Sequence, residues 1–249
     1  MQVSIDVQMI GTGSAFAKKY YNNNARISTG QFQLLVDCGI TAPLALHQLS
    51  LDVADIHAIL ITHIHGDHVG GLEEFGFRMR YIHRRKPVLY VPHTIANDLW
   101  ENTLRGAMEN RAEGCDSLSC YFDVRLVQEQ EPFSVADGLT IELIPTNHIP
   151  GKPSYALLIN DTLFYSSDLT FDPDLLINLV RNRRCKQLMH DCQLKGTGQV
   201  HTTLEELLTL PLDVQERIML MHYDDDMEQY IGRTGPMQFV EQHRIYTFD

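Results

Sequence analysis

Four potential metal ligands lie within six residues, directly after a short apolar segment. The segment covers residues 58–62, and His63, His65, Asp67 and His68 follow it. Zinc prefers imidazole nitrogen and carboxylate oxygen as ligands, and catalytic zinc sites leave one position open for water. A tight loop after a strand can turn such closely spaced side chains toward a common point. We therefore expect this loop to bind metal and to support hydrolytic chemistry.

Other histidine and aspartate residues follow further apolar runs. His148, Asp168, His190 and His222 come after runs that are short and rich in aliphatic residues, at 139–144, 162–165, 186–189 and 217–221. Such runs predict strands, several of them buried on both faces. If the strands share one direction, their carboxyl ends meet at one edge, where α/β proteins gather ligand sites. The pattern thus predicts one metal-binding edge.

Helical segments are predicted between these strands. Thr94 and Asp172 are predicted N-caps, with Pro173 in the first turn after Asp172. The predicted helices cover residues 70–86, 94–108, 173–184 and 203–208, and an exposed loop is predicted over 106–120. Strands in both halves with helices outside them predict an α/β fold of two sheets between helical layers. The chain has no linker-like stretch, so we expect a single domain over residues 1–249.

Composition restricts the cellular setting and the partners. The 249 residues are 44% hydrophobic and 21% charged, with five cysteines and a formal net charge of −12. No apolar run approaches the roughly 20 residues needed to span a bilayer, and the start at Met1 lacks a signal-peptide pattern. We expect a cytoplasmic protein with reduced thiols and no membrane partner. A long polyanion usually requires a basic face, and the only compact basic run is at residues 78–86.

The motif at residues 63–68 resembles the signature of the metallo-β-lactamase superfamily. Residues 35–39, Leu-Val-Asp-Cys-Gly, resemble its earlier motif, in which the aspartate supports the metal loop. The resemblance implies an αββα sandwich that binds two Zn²⁺ per chain, with Mn²⁺ or a similar ion as an alternative. It implies that one ion is bound by His63, His65 and His148. The other would be bound by Asp67, His68 and His222, with Asp168 bridging both.

Three further motifs resemble the ribonuclease Z branch of this superfamily. They are the glycine turn at 9–15, His-Asp-Cys-Gln at 190–193 and His-Thr-Thr at 201–203. Within the branch, residues 6–17, the asparagine-rich residues 20–24 and residues 147–152 most resemble the anti-Pycsar proteins. Those are phage and bacterial enzymes that hydrolyse cyclic nucleotide signals.

The resemblance implies a phosphodiesterase that opens 3′,5′-cyclic nucleotides, cCMP and cUMP among them, to monophosphates with a metal-activated hydroxide. Asp67 would also orient the nucleophile. His201 is the candidate general acid for the leaving oxygen, and Asp191 the carboxylate that orients it. Residues 20–24 are expected to contribute to the base pocket. A homodimer is implied, as is action against antiviral signalling, in the host cytoplasm if the protein is phage-encoded.

Two other functions remain open at this stage. A ribonuclease Z-type tRNA 3′ endonuclease would share the motifs. The chain lacks an extended basic insertion for holding tRNA, however. It also has three aspartates at residues 224–226 beside His222, where a phosphate-binding surface would favour hydroxyl or basic groups. An inactive metal-binding scaffold is the alternative from another class. Scaffolds of this type usually lose ligands, and no ligand is missing here. A thiolesterase or lactamase would leave the 201–203 motif unexplained.

Overall fold

Two mixed seven-stranded β-sheets form the centre of the fold in the computed structural model, which describes residues 4–249. The sequence prediction that the start at Met1 lacks a signal-peptide pattern concerns residues that lie partly outside this range. The first sheet has the order β14-β1-β2-β3-β4-β5-β6. Its strands are β1 Ile5–Met9, β2 Ala25–Thr29, β3 Phe32–Val36, β4 Ala58–Leu60, β5 Val88–Pro92, β6 Asp123–Val127 and β14 Ile245–Phe248.

The second sheet has the order β13-β12-β11-β10-β9-β8-β7. Its strands are β7 Phe133–Ala136, β8 Leu139–Thr146, β9 Ser154–Ile159, β10 Leu163–Tyr165, β11 Gln187–Asp191, β12 Ile218–Met221 and β13 Gln238–Phe239. Strands β10 to β13 pair in parallel, and β7 to β10 pair antiparallel. As a result β8, β10, β11 and β12 all run in the same direction.

Short helices cover the outer faces of the two sheets. They are α1 Ala42–Gln48, α2 Gly66–Val69, α3 Leu72–Phe77, α4 Ala96–Leu99, α5 Arg105–Met108, α6 Pro173–Arg181, α7 Leu204–Leu207 and α8 Leu212–Gln215. Wider, π-type turns extend α3 through Ile82 and join α4 to α5. Apolar residues of α1 to α5 pack on the first sheet, and those of α6 to α8 join the core around the second.

The side chains of the central strands point alternately to the two faces of a sheet, and this explains the layered core. In β3, Leu34 and Val36 face the core between the sheets, while Leu35 faces the helices. All three side chains are fully buried. Successive side chains of a strand point to opposite faces, so a continuous apolar run is what a sheet covered on both sides requires. The predicted αββα sandwich is therefore confirmed.

Two details of the sequence prediction were wrong. Thr94 does not cap a helix; its hydroxyl hydrogen-bonds Tyr155 instead, at 2.6 Å, and Ile95 occupies the cap position. The predicted loop at 106–120 contains most of α5 and two 3₁₀ turns, and it buries Met108 and Leu118. Strand β4 belongs to the first sheet and the other strands that precede candidate ligands belong to the second, so the predicted edge is formed by both sheets.

The predicted cap of α6 is confirmed. Asp172 caps α6 by accepting from Leu175 N, and Thr203 forms a capping box with Glu206 at α7. The five cysteines are unpaired thiols. Across residues 4–249, no helix is both long enough and apolar enough to cross a bilayer.

The glycine turn after β1 allows two backbone segments to approach closely. A Cβ atom added at Gly11 would lie 2.1 Å from Asn22 O and 2.6 Å from Tyr21 O. Both obstacles are main-chain atoms, which cannot rotate away. The turn therefore requires glycine because of the close approach, as its place in the ribonuclease Z-like motif implied.

We predict that Gly11→Ala lowers the free energy of unfolding by about 2–3 kcal/mol, because overpacking against fixed backbone forces the turn to shift. Chemical denaturation measures the change. Gly106→Ala is the matched control, since its Cβ would meet open space within α5 and alanine favours helix by up to about 1 kcal/mol. Equal destabilisation by both changes would contradict the close-approach explanation.

Candidate metal centre

Three histidines and one aspartate form the first ligand cluster. His63 Nε2 lies 3.1 Å from His65 Nδ1, which lies 3.2 Å from His148 Nε2. Asp168 Oδ2 is 3.7 Å from His63 Nε2 and 3.8 Å from His148 Nε2. The loop after β4 supplies the first two histidines, and the ends of β8 and β10 supply the others. One cluster thus draws ligands from both sheets.

The second cluster lies beside the first and shares one residue with it. His68 Nε2 is 3.2 Å from Asp67 Oδ2 and 3.4 Å from Asp168 Oδ2. His222 Nε2, from the end of β12, is 3.5 Å from Asp67 Oδ2 and 3.6 Å from Asp168 Oδ1. Asp168 Oδ2 therefore lies near residues of both clusters and Oδ1 lies near His222, so this carboxylate is placed where it could bridge two ions.

The spacing of these atoms fits a metal ion better than direct hydrogen bonding. Zinc–nitrogen bonds of about 2.0–2.1 Å in a tetrahedral site place ligand atoms about 3.3 Å apart. Within each cluster the ligand atoms all lie within 4.8 Å of one another. His68 Nε2 and Asp168 Oδ1 are buried with no hydrogen-bond partner among the described residues. Buried polar atoms rarely remain unpaired, so these clusters are consistent with a dinuclear metal site.

The outward-facing ring nitrogens are held by other groups. His148 Nδ1 lies 2.6 Å from the carbonyl oxygen of Val200, to which it donates. His68 Nδ1 lies 2.7 Å from Asp37 Oδ2. Each contact directs the Nε2 lone pair of the ring toward the cluster. Such outer contacts fix both the tautomer and the orientation of a metal-binding histidine.

The charges of the site favour a cation at its centre. Burial and the neighbouring His68 lower the pKa of His63 well below its usual value, so this imidazole is neutral and able to bind metal. Burial alone would raise the pKa of Asp168, but His222 and His68 hold it well below its usual range. Burial also opposes protonation of His68, yet Asp168, Asp67 and Asp37 raise its pKa. The same carboxylates would stabilise a metal ion.

Asp37 supports the metal loop from beneath, as the motif at 35–39 implied. Its side chain accepts from Thr62 N and from Thr62 Oγ1, both at 2.8 Å, in addition to its contact with His68. Thr62 Oγ1 also lies 2.8 Å from Ser167 Oγ, beside Asp168. Asp37, Ser167 and His222 have positive φ values of 60°, 50° and 58°. Backbone strain of this kind is common where surrounding structure fixes a functional site.

The asparagine-rich segment does not contribute to an open base pocket, contrary to the sequence prediction. Asn22, Asn23 and Asn24 are at most 3% exposed. Asn24 accepts from Gly39 N at 2.9 Å and donates to Asp67 O at 3.2 Å. It therefore braces the backbone of the metal loop. Asparagine-rich turns satisfy main-chain groups readily, and the sequence pattern alone did not distinguish that use from ligand contact.

The two candidate proton-transfer residues lie next to the metal ligands. His201 Nδ1 is 3.0 Å from Asp191 Oδ2 and 3.9 Å from Asp168 Oδ2. Burial alone would raise the pKa of Asp191, but His190 and His201 lower it, so its carboxylate is ionised. His190 is fully buried and donates from Nδ1 to Asp191 O. The structure thus brings all seven predicted ligands, His201 and Asp191 together, with His190 behind them.

A cavity of about 520 Å³ opens above the clusters. Its floor contains His65, Asp67, His148, Asp168 and His201. Its rim is largely apolar, formed by Ala15, Phe16, Ile40, Ile149 and Val200. Sequence inspection did not identify these rim residues, because single apolar side chains carry no recognisable spacing. The volume lies within the range of small-molecule sites.

Comparison with known proteins gives one family. The profile of the Anti-Pycsar protein Apyc1 family matches residues 5–246. Anti-Pycsar protein Apyc1 of Paenibacillus sp. (strain J14) is 56% identical over 98% of this chain and 100% of its own. The protein of the same description from Paenibacillus xerothermodurans is 55% identical over 99% of this chain and 98% of its own.

Solved structures share the fold. The metallo-beta-lactamase fold protein YhfI from Bacillus subtilis matches with a TM-score of 0.75 and 17% identity, over 99% of this chain and 100% of that one. The short form of human tRNase Z matches with a TM-score of 0.68 and 17% identity, over 97% of this chain and 98% of that one. At this identity the likeness shows the fold alone.

We predict about two metal ions per chain in carefully prepared, active protein. Asp168→Ala should bind one ion or fewer and lose more activity than any single histidine variant, because both clusters use this carboxylate. Elemental analysis and initial rates measure the two effects. Asp116→Ala, on an exposed loop, is the control and should keep both ions. One ion or none in active wild-type protein would defeat the dinuclear arrangement.

Proposed function

The chain belongs to the Anti-Pycsar protein Apyc1 family, and on that premise we propose that it is a dinuclear-zinc phosphodiesterase for 3′,5′-cyclic nucleotides. The products are nucleoside monophosphates, and the biological role is to remove cyclic nucleotide signals of an antiviral defence. The observation that carries the proposal is the convergence of seven ligand side chains, from both sheets, beneath a cavity of mononucleotide size. The substrates include the cyclic pyrimidine nucleotides cCMP and cUMP.

The two ions, Zn²⁺ or a similar metal such as Mn²⁺, would neutralise phosphate charge and make a water nucleophile available at neutral pH. His63, His65 and His148 would hold one ion, Asp67, His68 and His222 would hold the other, and Asp168 would be shared by both. Asp67 would also accept a hydrogen bond from the attacking water and orient it. The position of Asp67 in the lining of the cavity supports this role.

His201 supplies a proton to the leaving ribose oxygen in this mechanism. Asp191 accepts from Nδ1 of the ring at 3.0 Å, so the proton available for transfer is the one on Nε2. Asp191 is buried and ionised, so its carboxylate fixes the orientation and the tautomer of the His201 ring. A positioned acid contributes roughly two to four powers of ten when the leaving group is an alkoxide.

The basic run at residues 78–86 is unsuited to holding a long nucleic acid. Arg80 donates to Cys120 O and pairs with Glu113. Arg85 donates to two main-chain carbonyls, and Lys86 to another. These cations stabilise loop backbone rather than forming a free phosphate track. A cyclic mononucleotide has one negative charge and needs only the metals and a small pocket.

The alternatives from sequence remain weaker proposals. A tRNA 3′ endonuclease would need many phosphate contacts away from the metals. An inactive scaffold would be expected to lack ligands, and all seven are present. We propose further that residues 1–249 act as one catalytic domain, in a homodimer, in the cytoplasm, which is that of the host if the protein is phage-encoded.

We predict that His201→Ala keeps both ions but slows cyclic nucleotide hydrolysis about a hundredfold or more. Hydrolysis of a diester with a nitrophenolate leaving group should slow less than about tenfold, because that group departs without a proton. Steady-state rates and metal content are the measurements, with exposed His47→Ala as the control. Equal slowing on both substrates would remove His201 from the acid role.

We also predict hydrolysis of cyclic nucleotides that changes less than about threefold between low and moderate salt, with precursor tRNA cut poorly. Binding through many phosphates would instead lose roughly a thousandfold or more over such a range. Initial rates on both substrates at the two salt concentrations test the prediction. Efficient tRNA cleavage that falls steeply with salt, beside intact cyclic nucleotides, would replace this function with the endonuclease.

A further inference from the structure

One large aromatic side chain at the mouth of the cavity is exposed to solvent. Phe16 is 86% exposed and lines the same cavity as the metal ligands His65, Asp67 and Asp168. Ile40, 70% exposed, lines the same rim. A phenylalanine leaves a large apolar surface in contact with water unless something packs on it. Because Phe16 lines the cavity above the candidate metal centre, we expect the substrate to pack on it.

The loop that carries Phe16 is held in place from both ends. Asp225 accepts from Lys18 N at 2.8 Å and from Lys19 N at 2.7 Å, just after Phe16. Asp224 accepts from Ser14 Oγ at 2.5 Å, just before it. Charge-assisted hydrogen bonds of this kind are stronger than neutral ones and offset the entropy lost when an exposed loop is ordered. The backbone that carries Phe16 is therefore held in place on both sides of this residue.

The same acidic segment follows directly after a metal ligand. His222 follows β12 directly, and the backbone of Tyr223 then hydrogen-bonds the backbones of Thr12 and Ser14. Glu228 accepts from the Tyr20 hydroxyl at 2.8 Å, and the Tyr20 ring packs edge-on against Tyr223 at 5.0 Å between centroids. The second metal cluster and the Phe16 loop are thus joined by one short stretch of chain, which fixes their relative position.

We propose that Phe16 is a stacking platform for the nucleobase of the substrate and that Asp225 positions this platform over the metal centre. The inference rests on the proposed cyclic nucleotide function and adds to it the residue that receives the base. Aromatic stacking accepts any base, because every base has a π-face. The site therefore takes cyclic purine as well as cyclic pyrimidine nucleotides, and it recognises no particular hydrogen-bonding edge at Phe16.

The first experiment separates base contact from chemistry. Phe16→Ala should raise KM for cCMP and cAMP about tenfold and change kcat less than about threefold, whereas Phe16→Tyr should stay within about twofold of wild type. With base-free ribose 3′,5′-cyclic phosphate, the effect of Phe16→Ala on kcat/KM should fall below about threefold. Leu212→Ala, another exposed apolar side chain, is the control and should change none of these values.

The second experiment tests the positioning role by a double-mutant cycle. Asp225→Ala should keep wild-type metal content and raise KM as Phe16→Ala does, while Asp225→Asn, which retains one acceptor oxygen, should restore part of the loss. The double variant should be no worse than Phe16→Ala alone, because Asp225 acts through Phe16. Additive losses, or loss of metal in Asp225→Ala, would overturn the positioning role.

The outcomes distinguish this inference from the function on which it rests. If wild-type protein hydrolyses cyclic nucleotides but Phe16→Ala affects base-bearing and base-free substrates equally, the platform is overturned and the function stands. If wild-type protein leaves cyclic nucleotides intact, both are overturned. A Phe16→Ala variant that changes oligomeric mass and slows both substrates alike would also overturn the platform.

Discussion

Seven candidate ligand side chains meet where the two sheets end, six of them buried and His65 half-buried, and the rest of the site depends on how the free-energy cost of their desolvation is offset. Isolated buried charges are costly, and they persist only when opposite charges or metals balance them. Asp168 is the centre of this balance, because its carboxylate contacts His63 of the first cluster and His68 and His222 of the second. Strand β10, which presents it, is fully buried. A carboxylate held this way has little freedom to turn aside.

Hydrogen bonds from neutral and charged residues around the ligands fix the orientation of the metal loop and of His68. Asp37 bonds both the backbone of the metal loop and His68, and Asn24 bonds Gly39 and Asp67 main-chain atoms. A Cβ atom at Gly39 would lie 1.9 Å from Asp67 O. The loop therefore packs directly on the segment after β3. Ligands held by such contacts are preorganised, so little free energy is spent on ordering them when metal or substrate binds.

The acidic run at residues 224–226 has a different meaning in three dimensions than its composition indicates. Asp224 and Asp225 accept from the loop of residues 14–19, and Asp226 pairs with Lys195. Their charge is used to order the cavity rim rather than to repel a phosphate. The basic run at 78–86 is similar, since Arg80, Arg85 and Lys86 donate to main-chain carbonyls. The number of charged residues in each run therefore did not indicate what the acidic run or the basic run contacts.

The sequence by itself determined the fold class, and its resemblance to the metallo-β-lactamase pattern implied which histidines and aspartates meet in the two clusters. It did not determine which sheet each strand joins, since pairing depends on contacts between residues far apart in the chain. For the same reason only the tertiary structure decided that Asn24 braces the metal loop, and that Phe16 borders the cavity. Single side chains without a periodic pattern acquire their roles from long-range packing.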